Sequence, residues 1–178
     1  MKPTYLRVAL VAAAAMSFMP FVASAFDYNY VEGGYMHRDN DLSDEGGFRL
    51  AGAFDIAPNV GVFGEYGNVS SYDQFTAGLQ FHTAIQNALD FTAGASVEHF
   101  TGSGDSNTGL GLRAGVRWDI VPGQWELNPE LRYIRIDGEN LTSARLGGMY
   151  HINKNFAVNA ALQGGDDDRL EAGLRYSF

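Results

Sequence analysis

The chain contains no cysteine among its 178 residues. This absence excludes disulfide bonds, thiolate metal sites and thiol-based catalysis. Cations are also scarce, since 12 Lys and Arg residues stand against 21 Asp and Glu residues and the net charge is −9. A chain this acidic is not expected to bind nucleic acid. Lysine is the rarest cation, and Lys154 is the only lysine after residue 2.

Long apolar runs are missing after residue 25, so no segment there is predicted to cross a membrane as a helix. The apolar run at residues 8–19 follows Lys2 and Arg7, and Pro20 interrupts it before small residues at positions 23–25. A basic start, a short apolar stretch and a small-residue cleavage site predict a secretory signal peptide over residues 1–25. The run is too short for a transmembrane helix, which is the alternative. Residues 26–178 are predicted to form one domain.

Strict alternation of apolar and polar residues is what the sequence has in abundance. At the C-terminus, Leu170, Ala172, Leu174, Tyr176 and Phe178 alternate with charged or small residues. A period of two predicts a β-strand whose faces meet two different environments. The pattern recurs along the chain, more weakly in the first and third segments, and predicts ten strands, with eight as the alternative. The segments are residues 28–37, 48–56, 60–69, 74–82, 89–98, 110–120, 125–133, 144–152, 156–163 and 170–178.

The connections between these segments alternate between tight turns and longer polar stretches. Tight turns are predicted at residues 57–59, 83–87, 121–124 and 153–155, and loops rich in Asp, Ser and Gly at residues 38–45, 70–73, 101–108, 137–142 and 165–169. Outer-membrane barrels have short periplasmic turns and longer extracellular loops. The pattern therefore favours a transmembrane, antiparallel up-and-down β-barrel with short acidic extracellular loops and both termini in the periplasm.

The polar face of the strands decides between a membrane barrel and a soluble one, because both would alternate. A solvated face would use lysine freely, whereas a packed lumen favours the planar, multi-donor arginine. Aromatic residues also gather near strand ends on the apolar face, as interfacial girdles do. They are Phe48, Phe81, Trp118, Trp125, Tyr150, Phe156, Tyr176 and Phe178. We therefore expect lipid on the apolar side.

Charges of both signs are then predicted to line the lumen. They must pair, because an unpaired buried charge costs several kcal/mol. A narrow barrel leaves little space beyond its side chains, so a packed, paired interior is favoured over an open, charge-selective pore. His82 and His151 lie on the same face. The predicted lumen charge network comprises Glu32, Arg49, Asp55, Glu65, Asp90, Glu98, Arg113, Arg117, Asp119, Glu130, Arg132, Arg145, Glu171 and Arg175.

Two stretches carry a family resemblance. The sequence is YNYVEGGY at Tyr28–Tyr35 and IAPNVGVFGEY at Ile56–Tyr66. This region resembles a small family of outer-membrane barrels labelled as a sulfation-dependent quorum factor. In that family the label attaches to a tyrosine beside an asparagine near the mature N-terminus, which corresponds to Tyr28. The resemblance implies an outer-membrane barrel. At the other end, Tyr176 and Phe178 resemble the signal that the barrel-insertion machinery recognises.

Two other kinds of site are considered, a catalytic site at the outer rim and a metal site in the acidic loops. Barrel enzymes combine histidine with serine or aspartate near the outer rim, but the spacing here is not diagnostic and solvated strand-end residues are favoured. Acidic residues could bind Ca²⁺ or Mg²⁺, but no EF-hand register is present and solvated loops beside lipid headgroups are favoured. The rim candidates are His37, His99, Ser103 and Asp105. The acidic candidates are Asp39, Asp41, Asp44, Glu45, Asp166, Asp167 and Asp168.

The sequence thus predicts an integral outer-membrane β-barrel that is structural or narrow and porin-like, is not an enzyme, and needs no cofactor or metal. Expected partners are outer-membrane lipid and, during assembly, the insertion machinery and periplasmic chaperones. A monomer is expected. The alternatives are a surface, host-interaction or quorum-related factor and, less favoured, a rim enzyme acting on lipid or peptide.

Overall fold

Ten strands account for most of the chain. The structure is a computed structural model that describes residues 26–40, 43–70, 72–102 and 104–178. The predicted signal peptide lies outside these residues. The strands are β1 (Tyr30–Asn40), β2 (Ser43–Ala57), β3 (Val60–Val69), β4 (Tyr72–Gln86), β5 (Leu89–Gly102), β6 (Asp105–Val121), β7 (Trp125–Ile136), β8 (Glu139–His151), β9 (Phe156–Gly165) and β10 (Asp168–Ser177).

The strands form a closed antiparallel barrel. Each strand pairs with the next one in sequence, and β1 pairs with β10 from Tyr30 opposite Ser177 to Asp39 opposite Asp168. Closure leaves no open sheet edge. The ten-strand prediction is confirmed and the eight-strand alternative is wrong. In the described part of the chain, no helix is long and apolar enough to cross a membrane.

The two ends of the barrel differ less than the sequence predicted. We call the end that holds both termini the proximal end and the other the distal end. The segments predicted as long loops are mostly strand, because the distal connections are only residues 41–42, 70–71, 103–104, 137–138 and 166–167. Polar composition suggested loops, but cross-strand pairing extends through these residues, for example from Arg38 opposite Glu45 to Asp39 opposite Asp44. The distal connections that the structure describes in full, at residues 137–138 and 166–167, are therefore tight turns.

The wall of the barrel is apolar outside and largely charged inside. Leu112 and Leu131 are 58% and 63% exposed, whereas Glu98 and Glu171 are 2% and 3% exposed. The alternation of the sequence produces this division, since successive side chains point to opposite faces. A few large apolar residues also point inward, Phe63 among them.

Aromatic residues form a belt around the outside of the proximal end. Trp125 packs against Tyr150 with ring centroids 4.9 Å apart, and Phe156 packs against Tyr176 at 5.0 Å. Phe178 is exposed beside Tyr176, and its backbone N–H donates to the Asn29 carbonyl at 3.2 Å. The belt matches the position of aromatic girdles at membrane interfaces.

Residues 116 and 117 form no ladder pair with β7 near the middle of the wall. The register between β6 and β7 passes from Gly115 opposite Glu130 to Trp118 opposite Leu127 without a pair for these two residues. Pro129, which has no N–H to donate, lies in β7 at this point. The outer surface beside it is a groove of about 790 Å³ with Ala114 and Leu146 among its lining residues. The other irregularities of pairing lie beside proximal turns, at residues 55–57, 84–86 and 119–121.

A charged substitution on the outer face tests whether that face of the barrel meets lipid. We expect Leu112→Arg, near the middle of β6, to destabilise the folded barrel in bilayers by about 2–4 kcal/mol, because the guanidinium would face hydrocarbon. Ile152→Arg, at a proximal turn, is the matched control and should cost about 0–1 kcal/mol, because it can reach water. Urea titration of folding into lipid vesicles measures both. Equal costs at the two sites would mean that the outer face does not meet lipid.

Candidate functional site

The lumen is filled by three layers of side chains. The central layer is organised around Arg49. The distal layer is organised around Asp167, and the proximal layer around Tyr28, which precedes β1. In the described residues all three layers are made almost entirely of charged, hydroxyl, amide and aromatic groups. Together they determine whether anything can pass through the barrel.

Arg49 joins three glutamates in the central layer. Its guanidinium forms an ion pair with Glu32, donates to Glu65 at 2.9 Å and lies 3.8 Å from Glu171. The residues directly opposite Arg49 on the two neighbouring strands are Gly34 and Gly67, which have no side chains, although Met36 of β1 lies over Gly67. A side chain at residue 34 would also meet the Ala172 carbonyl at 2.2 Å. The glycines thus leave the arginine free to extend across the lumen.

Other arginines complete the central layer around the same carboxylates. Arg175 donates to Glu32 through two nitrogens at 2.8 and 2.9 Å. Arg145 donates to Glu171 at 2.7 Å. In addition, Arg132 pairs with Glu130 at 2.5 Å and lies 3.7 Å from Glu65. Each glutamate that faces Arg49 therefore has at least one further arginine within 4.0 Å, and the layer is a continuous ionic network.

Asp167 closes the distal layer. It forms ion pairs with Arg38 at 2.7 Å and with Arg169, and Arg38 also lies over the Tyr72 ring at 4.5 Å. Burial alone would raise the pKa of Asp167, but Arg169 and Arg38 outweigh burial and hold the pKa below its ordinary value. Asp167 is therefore ionised at neutral pH and binds the two arginines inside the mouth.

Glu98 is satisfied in a different way. Its carboxylate accepts hydrogen bonds from Ser96 at 2.6 Å, Thr76 at 2.5 Å and Gln74 at 3.1 Å. Gln74 also accepts from Arg169 at 2.6 Å, which connects Glu98 to the distal layer. Within the described residues, no cation lies within 4.0 Å of Glu98.

The proximal layer contains residues 26–29, which fold into the barrel before β1 begins. Tyr28 is only 3% exposed. Its ring stacks on His82 with centroids 3.6 Å apart, and its hydroxyl donates to Asp90 at 3.1 Å. His82 in turn contacts Asp55 at 3.0 Å. Because His82 and Asp90 belong to β4 and β5, the segment reaches across the lumen from β1 to the opposite wall.

Arg117 holds the same segment from β6. Its guanidinium donates to the backbone carbonyl of Asp27 at 2.8 Å and lies over the rings of Tyr28 and Phe26 at 4.6 and 4.7 Å. It is fixed by two hydrogen bonds to Glu126 at 2.6 and 2.9 Å. His151 lies 3.4 Å from the same carboxylate. The N-terminal segment is thus bound by hydrogen bonds, ring stacking and cation–π contacts.

Some residues of the predicted network form ion pairs in the structure, and others have different contacts. Most of the arginines and glutamates form the ion pairs described above. Asp119 instead accepts from the Gly123 N–H at 2.9 Å in a proximal turn, and Arg113 lies over the Phe63 ring at 4.1 Å. Neither has an oppositely charged side chain within 4.0 Å in the described ranges. Asp55 contacts His82, and Asp90 accepts a hydrogen bond from Tyr28.

Four charged residues of the three lumen layers were absent from the predicted network. Glu126 lies on the predicted polar face of its strand, and that alternation was the signal for it. The other three are Arg38, Asp167 and Arg169, which fall in stretches predicted as loops. Their alternation with outward residues continues that of β1 and β10, and this signal could have extended both strands.

The two histidines among the rim candidates lie far apart, and Asp105 begins β6, the neighbour of β5. His37 and His99 lie on β1 and β5, which are on opposite walls, and His99 contacts Thr108 at 2.8 Å and Thr101 at 3.3 Å. Ser103 lies outside the described residues. Among the acidic candidates, Asp166 accepts from the Thr142 N–H at 2.7 Å and Asp168 from the Gly165 N–H at 2.9 Å. No group of three potential metal ligands occurs in the described part of the chain.

The space that remains inside is small. A cavity of about 100 Å³ lies beside Arg49, Phe63 and Arg113. A water molecule needs roughly 10–15 Å³ of such volume, so the cavity has room for about seven to ten waters. The ion pairs and hydrogen bonds of the three layers cross the lumen around this cavity.

Comparisons with known proteins support the architecture. No family model matches the chain, and no curated protein matches it. Solved structures do. A KdgM porin is 14% identical with a TM-score of 0.56, and covers 84% of this chain and 99% of its own. A KdgM porin in complex with disordered oligogalacturonate is 12% identical with a TM-score of 0.52, and covers 86% and 99%. A NanC porin is 8% identical with a TM-score of 0.51, and covers 84% and 100%.

These likenesses concern the fold. The chain has the architecture of porin β-barrels over almost the whole length of those proteins. The resemblance to the family labelled as a sulfation-dependent quorum factor stays a prediction.

Proposed function

We propose that the protein is an integral β-barrel of the bacterial outer membrane, narrow and porin-like, whose lumen is closed in the resting state. The observation that carries this proposal is a network of ion pairs inside an apolar wall, with a remaining cavity of about 100 Å³. Ion pairs in a confined lumen hold one another in place, since breaking a pair leaves a buried charge. Conduction therefore requires rearrangement of several pairs together.

The location follows from the wall and the ends. The belt of exposed apolar residues fits lipid, and the predicted signal peptide directs export. With both termini at the proximal end, that end faces the periplasm and the distal turns face outward. Outer-membrane lipid is the permanent partner. The insertion machinery, recognising Tyr176 and Phe178, and periplasmic chaperones act during assembly, and the barrel functions as a monomer.

Two alternatives receive less support. An oligosaccharide such as the one bound by the KdgM porin exceeds the space that the three layers leave here. A rim enzyme would need a base beside a nucleophile, and His37 and His99 lie on opposite walls. A surface or quorum-related role would use the distal turns or Tyr28, but Tyr28 is buried in the lumen.

Single-channel recording in planar bilayers tests the proposal. We expect refolded protein to show no steady conductance, with at most small and brief openings, because each of the three layers must move to admit hydrated ions. Liposome swelling with neutral sugars should likewise match protein-free vesicles. A stable, well-resolved open channel in the unmodified protein would show that the lumen is not closed at rest.

A further inference from the structure

Arg113 is the one inward-pointing arginine of the described residues that forms no ion pair. Eight arginines point inward, and seven of them have a carboxylate within 4.0 Å. Within the described residues, Arg113 has none, and its guanidinium lies 4.1 Å from the centre of the Phe63 ring. A ring face attracts the cation but carries no countercharge. Glu130, Glu65 and Glu98 attract the Arg113 cation through space, but none of them contacts it. An anion in direct contact with the guanidinium would therefore stabilise the barrel further.

The cavity beside Arg113 has the charge to attract such an anion. Six arginines and three glutamates line it. Two of these arginines, Arg117 and Arg145, are paired with carboxylates that lie behind the lining, Glu126 and Glu171. The excess that remains is the single positive charge of Arg113. Glu98 does not cancel it by direct contact, because its oxygens are taken by Ser96, Thr76 and Gln74.

The size and lining of the cavity limit what the anion can be. About 100 Å³ admits a bare halide with several waters and is small for an oligosaccharide or a nucleotide. Gln80 and Thr92 lie in the lining, and the Gln80 amide nitrogen has no acceptor in the described part of the structure. Both side chains carry hydrogen-bond donors suited to an anion.

We propose that the lumen binds one small monovalent inorganic anion of the halide class against Arg113, with Gln80 and Thr92 completing the site. The anion acts as the missing partner in the central ionic network. Anion binding at this site does not depend on whether the barrel conducts, so the two proposals can be tested independently.

Anomalous scattering from bromide tests the site directly. Crystals of the refolded protein grown in sodium bromide should show an anomalous peak inside the lumen beside the Arg113 guanidinium, bounded by Phe63 and Gln80. Arg113→Gln crystals should lack that peak. A wild-type lumen without bromide, in which water alone contacts Arg113, would overturn the proposal. So would a bromide peak that persists in Arg113→Gln.

Solution stability provides an independent measurement. At equal ionic strength, the urea midpoint should be higher in sodium bromide than in sodium gluconate, whose organic anion is several times bulkier than bromide and does not match a halide site. The difference should disappear in Arg113→Gln and persist in Arg135→Gln, which removes an exposed arginine from the outer face. Equal midpoints for the wild type in both salts would contradict the proposal, even if Arg113→Gln fails to fold.

Discussion

Arg49→Gln should destabilise the barrel by about 3–5 kcal/mol, because three buried glutamates lose the cation that they share. Glutamine is shorter than arginine but keeps an amide that can hydrogen-bond. The lost stability therefore measures the removal of the guanidinium with its charge. The measurement is the free energy of unfolding from urea titration in lipid vesicles. Arg135→Gln, on the exposed outer face, is the matched control and should change it by less than about 0.5 kcal/mol.

A second substitution shows whether the loss is electrostatic. Glu65→Gln removes one of the carboxylates that Arg49→Gln leaves without its arginine. The double variant should therefore be more stable than the sum of the two single effects predicts, by about 1–3 kcal/mol. Strict additivity would show that Arg49 and Glu65 do not interact, and would refute the network as the source of stability.

Tyr28→Ala should release the N-terminal segment from the proximal mouth. The hydrogen bond to Asp90, the stacking on His82 and the contact with Arg117 together contribute about 3 kcal/mol to docking. Losing them raises the undocked population about 100-fold. Aminopeptidase trimming of the mature N-terminus, followed by mass spectrometry, measures this population, because only the undocked segment is accessible.

Two variants control for other effects of the substitution. Tyr28→Phe keeps the stacking and the cation–π contact and should be trimmed at a rate between wild type and Tyr28→Ala. Tyr35→Ala removes an exposed tyrosine from the outer face of the same strand and should leave trimming unchanged. If Tyr28→Ala were trimmed no faster than wild type, the segment would not be held by Tyr28.

The same segment should undock at alkaline pH. Burial raises the pKa of Tyr28 well above its ordinary 10.0, and Asp90 adds to the rise while Arg117 opposes it. A raised pKa means that docking is fully stabilised below pH 10 and loses stability as pH rises above 10. The effect reaches about tenfold in the docked-to-undocked ratio per pH unit. Tyr28→Phe removes the ionising group, so its trimming should not show this dependence.

The sequence predicted the strands well because alternation is a local property. Each segment carries its own evidence for a face, and Leu112 and Glu98 lie on the faces that the pattern indicated. Strand ends were less predictable. Arg38, Asp167 and Arg169 occur among residues typical of loops, and only pairing with neighbouring strands shows that the sheet continues.

Ion-pair partners were beyond the reach of the pattern for a related reason. Glu32 and Arg175 are direct neighbours across β1 and β10, and they do pair. Glu130 and Arg145 are equally direct neighbours across β7 and β8, yet Arg145 pairs with Glu171 of β10. Long side chains in a narrow lumen reach past their neighbours, so partners depend on barrel curvature. The N-terminal segment was missed because residues 28 and 29 were predicted as the start of the first strand, which begins at Tyr30, and residues 26 and 27 alone are too short to show a period.

The interruption beside Pro129 gives the N-terminal segment a mechanical role. Arg117 lies where no ladder pair is formed between β6 and β7, although the register is the same on both sides. Its side chain ties β6 to Glu126 of β7 and also donates to the backbone carbonyl of Asp27. The segment therefore braces this link from inside the lumen by holding the Arg117 side chain in place. When it leaves, backbone amides of residues 115–118 should become the fastest-exchanging in the membrane-embedded wall, which local opening at a weak point requires.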